Sequence, residues 1–142
     1  GRQLAALTSD VINNNATANT LENVTGLSFP VQAGITYRFY ATIPYTSSSQ
    51  TNGSRWTINA PTTTFLSYNS RYTLSAITET INYLSTLNAP STCNNNSNTG
   101  GNLAVIQGVI IPSANGTVQV RFASQISGQS ITAKAGASLE WW

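Results

Sequence analysis

The stretch Ile35-Thr36-Tyr37-Arg38-Phe39-Tyr40-Ala41-Thr42-Ile43 alternates apolar and polar side chains along its whole length. In an extended chain, successive side chains point to opposite faces. Ile35, Tyr37, Phe39, Ala41 and Ile43 therefore share one face, and Thr36, Arg38, Tyr40 and Thr42 share the other. A half-buried strand is the only regular element that fits. Val31-Gln32-Ala33-Gly34 leads into it, with the glycine supplying the turn. Pro44 is expected to end the alternation, and the polar run 47–54 is expected to turn at Asn52-Gly53.

A second alternating run is Gly116-Thr117-Val118-Gln119-Val120-Arg121-Phe122, with Val118, Val120 and Phe122 on one face. Before it lies the apolar run Val105 to Ile111, and Ala114-Asn115-Gly116 separates the two. An Asn-Gly pair between two such runs predicts a hairpin. Weaker strands are expected over Leu4 to Val11, Gly26 to Phe29, Arg55 to Asn59, Thr63 to Leu74, Thr78 to Leu84, Ser130 to Lys134 and Ala137 to Trp142. In the last of these, Leu139 and Trp141 share one face, and Glu140 and Trp142 the other. The Asn-rich stretches 13–15 and 94–101 read as loops. No repeat or second domain is visible, so residues 1–142 are expected to form one domain. Roughly eight to ten short strands suit an all-β, two-sheet antiparallel sandwich wound as a jelly roll.

Only ten of the residues are charged, six basic and four acidic, and there is no His and no Met. Ser, Thr and Asn make up more than a third of the chain, while apolar residues reach 40%. The core can be built, and the surface is solvated by hydroxyls and amides. The net charge of +2 is small and the cations are scattered, so no nucleic-acid partner is expected. No apolar run approaches the ~18 residues of a membrane helix, and no signal-peptide pattern is present, so no membrane partner is expected. The opening Gly1-Arg2-Gln3 reads either as a trimmed start or as the cut end of a longer chain.

Without His, the usual Ser-His and Cys-His pairs are excluded. Lys134, the only lysine, has no nucleophile motif around it, and Asp10, Glu22, Glu79 and Glu140 are isolated in sequence. No catalytic residue, metal ligand or cofactor site is assigned. Cys93 stands alone and reads as an incidental thiol or as a link to another chain. Five Asn-x-Ser/Thr sequons occur, but sixteen Asn among this many hydroxyl residues give roughly four by chance. The aromatics have three possible uses: filling a core, stacking on sugar rings, or lying between subunits. Trp141 and Trp142 cannot both face one core, so one of them is expected to meet a neighbouring chain.

Three stretches carry a resemblance. Leu27 to Phe39, with its Ala33-Gly34 turn and Thr36-Tyr37-Arg38-Phe39 strand, resembles a segment common in structural proteins of tailed bacteriophages. Gly116 to Ser124, followed by Thr132 to Leu139, is similar to the last two strands of the same modules, and Thr8 to Leu21 is similar to their opening. The resemblance implies a jelly roll like those of tumour-necrosis-factor and C1q-like domains, usually a tight homotrimer, with no catalytic residues. It implies a virion location and a non-enzymatic role, first as a homotrimeric capsid decoration protein bound to the major capsid protein or other virion proteins. The alternatives are a tail-fibre or receptor-binding knob that holds host glycan, and a secreted C1q-like or carbohydrate-binding module. Tyr37, Phe39, Leu139, Trp141 and Trp142 are the residues expected at the subunit interface.

Overall fold

A computed structural model describes residues 1–142. It contains eleven strands: β1 (Gln3–Ala6), β2 (Val11–Asn13), β3 (Glu22–Val31), β4 (Tyr37–Ser47), β5 (Ser54–Asn59), β6 (Thr63–Thr73), β7 (Glu79–Leu84), β8 (Asn102–Pro112), β9 (Gly116–Ser124), β10 (Ile131–Ala133) and β11 (Ser138–Trp141). The larger sheet runs β1-β11-β4-β8-β6-β7, and the smaller runs β3-β9-β5. Long β4 takes two partners on one side: β11 beside Phe39–Thr42, then β10 beside Tyr45–Ser47, with β2 outside β10. Every pairing is antiparallel. Strands β3, β4 and β5 alternate between the sheets, and β8, β9 and β11 return among them in the winding of a jelly roll.

Period-two alternation decides what lies between the sheets. Phe39, Ala41, Ile43 and Tyr45 point inward from β4, and Val118, Val120 and Phe122 point inward from β9. Aromatic rings link the layers. Phe29 meets Phe39 at 6.4 Å between centroids, and Trp56 meets Tyr45 at 4.8 Å across the layers and Phe122 at 5.0 Å within its own sheet. Trp56 is the largest fully buried side chain, and its Nε1 donates to Ser54 Oγ at 2.9 Å. Burial without a partner for that N–H would oppose the gain from its area.

Five local expectations are corrected. Strands β8 and β9 are not a hairpin: β8 lies between β4 and β6, while β9 lies in the other sheet. Neither Asn115 nor Gly116 has the positive φ that a tight two-residue hairpin turn demands. Asn115 instead accepts from Ala33 N at 2.9 Å, fastening a crossover corner. Pro44 does not end its strand; it pairs with Leu103 inside β4. Its carbonyl accepts from Lys134 N at 2.9 Å, so its missing N–H faces the gap between β10 and β11, where the ladder needs no donor. Leu4 to Val11 divides into β1 and the start of β2, because these pair with β11 and β10 in turn. Ile35 falls outside the strand and is 47% exposed.

The turn expected at Asn52-Gly53 lies two residues earlier, at Gln50-Thr51, where Asn52 N donates to Ser49 O at 3.1 Å. Asn52 itself is fully buried. Its Nδ2 donates to Ser124 Oγ at 2.9 Å, its Oδ1 accepts from Ile126 N at 2.9 Å, and its carbonyl accepts from Ser97 Oγ at 2.7 Å. Three loops meet at this one residue, two of them through its side-chain amide and the third through its backbone carbonyl. A Cβ at Gly53 would collide with the Asn94 backbone carbonyl, so this close approach needs glycine. Asn52→Ala is expected to lower stability by about 2–4 kcal/mol in urea denaturation, because it strands several buried partners. Exposed Gln50→Ala serves as the control; equal midpoints for the two variants would refute the hub.

Candidate functional site

The outer faces of the two sheets differ. On the smaller sheet, Arg55 and Thr57 of β5 are buried, at 7% and 0% exposure. The chain itself covers them. Arg55 Nε donates to Asn19 Oδ1 at 2.6 Å, Nη2 to Asn19 O at 3.1 Å, and Nη1 to Pro90 O at 2.7 Å and Asn88 O at 3.3 Å. Arg121 of β9 adds bonds to Asn88 Oδ1 and Leu21 O, both at 3.2 Å. Tyr68 reaches round the sheet edge, its hydroxyl donating to Thr86 O at 2.6 Å and lying 3.2 Å from Thr57 Oγ1. Burial lowers the pKa of Arg55 from its ordinary value and raises that of Tyr68.

The larger sheet carries a groove on its outer face. Its register places Leu4, Glu140, Tyr40, Gln107, Asn69 and Tyr83 in one row across six strands. The next row holds Arg38, Val109 and Ser67, with Trp142 bonded through its backbone to Arg38. Between Trp142 and Tyr83 these rows floor a groove of about 630 Å³. Tyr83 is 84% exposed and Trp142 39%. Gly108 sits between the rows; a Cβ there would collide with the Ser67 carbonyl and Tyr68. Its absence lets the Phe39 and Tyr68 rings from the flanking strands meet beneath it at 6.3 Å. Asn69 Oδ1 is shut away from solvent and accepts no hydrogen bond.

The charges sort by partner. Lys134 Nζ donates to Asp10 Oδ2 at 2.7 Å, and Ala135 N donates to Oδ1 at 2.8 Å. The Lys134 hydrogen bond, then the Ala135 amide, hold the Asp10 carboxyl below its ordinary value. Arg71 pairs with Glu79 at 3.8 Å, and Arg2 pairs with Glu140 at 3.8 Å while lying 3.9 Å over the Trp142 ring. Arg38 has neither an ion pair nor a side-chain hydrogen bond within the protein.

Of the residues expected at a subunit interface, Phe39 and Leu139 lie in the sandwich interior, at 2% and 0% exposure. Tyr37 is half-buried, packed 5.9 Å from Phe29, and its hydroxyl accepts from Gln32 N at 2.9 Å. Trp141 stacks on Phe29 at 5.0 Å with 9° between the planes. Trp142 alone turns outward, as the alternation of the last strand requires. The carboxylates are not brought together, and no three Cys, Asp or Glu side chains gather where they could hold a metal ion. Tyr83, Gln107 and Asn69 carry no sequence motif; only the strand register joins them to Arg38 and Tyr40. Neither a family model nor a curated protein matches this chain. Chemically, the groove offers aromatic faces, amides and one free cation, with no nucleophile beside a base.

Two outcomes follow from these positions. Trp141→Ala is expected to cost about 2 kcal/mol of folding stability, and Trp142→Ala less than about 1, because only Trp141 packs against the core; equal losses would contradict this placement. Cys93 is half-buried, and burial, opposed by Arg55, pushes its thiol up to about 11. Iodoacetamide at pH 8 should therefore alkylate it slowly in the native protein and rapidly in urea, since the thiolate is the nucleophile. Equal rates would overturn that reading.

Proposed function

We propose that this chain is a non-enzymatic structural module of a bacteriophage virion, of the tail-fibre knob kind, working as a homotrimer whose groove takes host-surface glycan. One observation carries the glycan part. The groove on the outer face of the larger sheet presents Tyr40, Tyr83 and Trp142 around the amides of Gln107 and Asn69. Sugars offer apolar C–H faces that stack on aromatic rings and hydroxyls that both donate to and accept from amides. The virion setting rests on the resemblance of Thr8 to Leu21, Leu27 to Phe39 and Gly116 to Ser124 to tailed-phage structural proteins. The non-enzymatic part is supported by the absence of His and by carboxylates held singly, three of them by different cations.

Capsid decoration is the second reading. It is favoured by Leu4, Ile81 and Leu103, exposed at 64%, 49% and 45% on the same sheet. A neighbouring virion protein seated there would cover them.

A glycan array probed with the purified protein, alongside light scattering, tests both readings. Saccharide binding that Tyr83→Ala abolishes, with a mass three times 15.1 kDa, is the expected result. An empty array combined with stoichiometric binding to capsids would replace the knob by decoration. A 15.1 kDa species at working concentration would remove the trimer.

A further inference from the structure

We infer that the groove takes an acidic saccharide, a sugar bearing a carboxylate, and that Arg38 is the residue that meets the acid. The inference rests on the glycan reading above and adds the charge of the ligand and the side chain that reads it.

Arg2, Arg71 and Lys134 each face a carboxylate, at 3.8, 3.8 and 2.7 Å. Arg55 and Arg121 donate to backbone carbonyls and Asn side chains that fasten loops over the smaller sheet. Arg38 is the one cation left without work inside the molecule. It is exposed, stands on β4 in register with Val109 and Ser67, and lines the groove beside Tyr40 and Trp142. No acidic side chain lines that groove. The nearest in register, Glu140, is already held by Arg2.

A free guanidinium offers parallel N–H donors that match a carboxylate with two bonds at once. Around it stand the stacking rings and the two amides. Asn69 Oδ1, buried and unpaired, is an acceptor that a ligand hydroxyl could satisfy when the amide turns toward the groove. An apolar ligand would leave both Arg38 and Asn69 unmatched. A nucleic acid would bring a row of phosphates to a groove with a single cation, whereas phosphate binding uses several. A carboxylated sugar matches the ring faces, the amides and the charge together.

The test is calorimetric titration of the intact protein with trigalacturonate, its fully methyl-esterified form, sialyllactose and lactose. The first pair asks about a uronate, the second about a sialate. At least one acid should bind about tenfold or more tightly than its neutral counterpart, the scale of a charged hydrogen bond. Added salt should narrow the gap. Arg38→Gln, a change at an exposed position, should bring the acid to the level of the neutral form, and Arg38→Lys should restore part of the preference. Equal binding of acid and neutral forms, or a preference that Arg38→Gln leaves intact, would overturn the inference while the glycan reading stands. Binding of none of the four also overturns it; the glycan reading falls as well only if the array is empty. A change in oligomeric mass on Arg38→Gln would reassign the residue to self-association and overturn the inference too.

Discussion

The buried guanidinium of Arg55 decides which side of this molecule is available. Taking a cation out of water costs several kcal/mol unless its donors are all matched. Here four hydrogen bonds, to Asn19, Asn88 and Pro90 at 2.6 to 3.3 Å, offset much of that cost. These acceptors come from two segments far apart in sequence, one before β3 and one after β7. Satisfying Arg55 therefore draws both across the smaller sheet, and Thr57 is buried as a result. The larger sheet has no such clamp. Its strands are held edge to edge, and outward side chains such as Arg38, Ser67, Ile81 and Tyr83 meet solvent.

Amides do here what ion pairs do in more highly charged proteins. Asn13 Nδ2 donates to Phe122 O at 2.9 Å, joining β2 to the smaller sheet. Asn102 Nδ2 donates to Tyr45 O at 3.2 Å, and its Oδ1 accepts from Asn98 N at 2.8 Å. Asn94 Nδ2 donates to Thr80 Oγ1 at 3.0 Å while its Oδ1 accepts from Ser54 N at 2.9 Å. Each of these loops is pinned by a side chain that can donate and accept at once. Such bonds are not screened by salt, whereas the three surface ion pairs are weak and salt-sensitive. Because the fold needs so little charge, a charge left without a partner carries information. In a chain dense with Lys and Glu, an unpaired Arg38 would mean nothing.

Alternation made the core legible from sequence. It placed Phe39, Ala41 and Ile43 inside, and it separated Trp141 from Trp142. It also put Arg38 and Tyr40 on the outer face. Pairing was not legible. The run before Asn115-Gly116 looked like one arm of a hairpin because nothing local distinguishes a turn within a sheet from a corner between sheets. Pro44 looked like a terminator because its tolerance depends on a gap between β10 and β11, which are contributed by residues about ninety positions away. The groove was hidden for the same reason. Tyr40, Gln107, Asn69 and Tyr83 are single residues on four strands, and only register brings them into a row.

The position of the groove constrains any assembly of copies. Phe39, Leu139 and Trp141 are committed to the subunit's own core, so contacts between copies must use side chains that point outward. The apolar ones near the groove, Leu4, Ile81 and Leu103, share its sheet. Three copies meeting through the middle of that face would fill the groove with protein, and ligand binding and assembly would exclude each other. A trimer that also binds saccharide must instead meet along its edges, where β7 on one side and β1 and β2 on the other present unpaired backbone. Edge contacts at β1 and β2 add backbone hydrogen bonds on the side of the sheet away from Tyr83, which itself stands on β7. Binding and assembly can then coexist only if the sheet edges, rather than the aromatic row, hold the copies together.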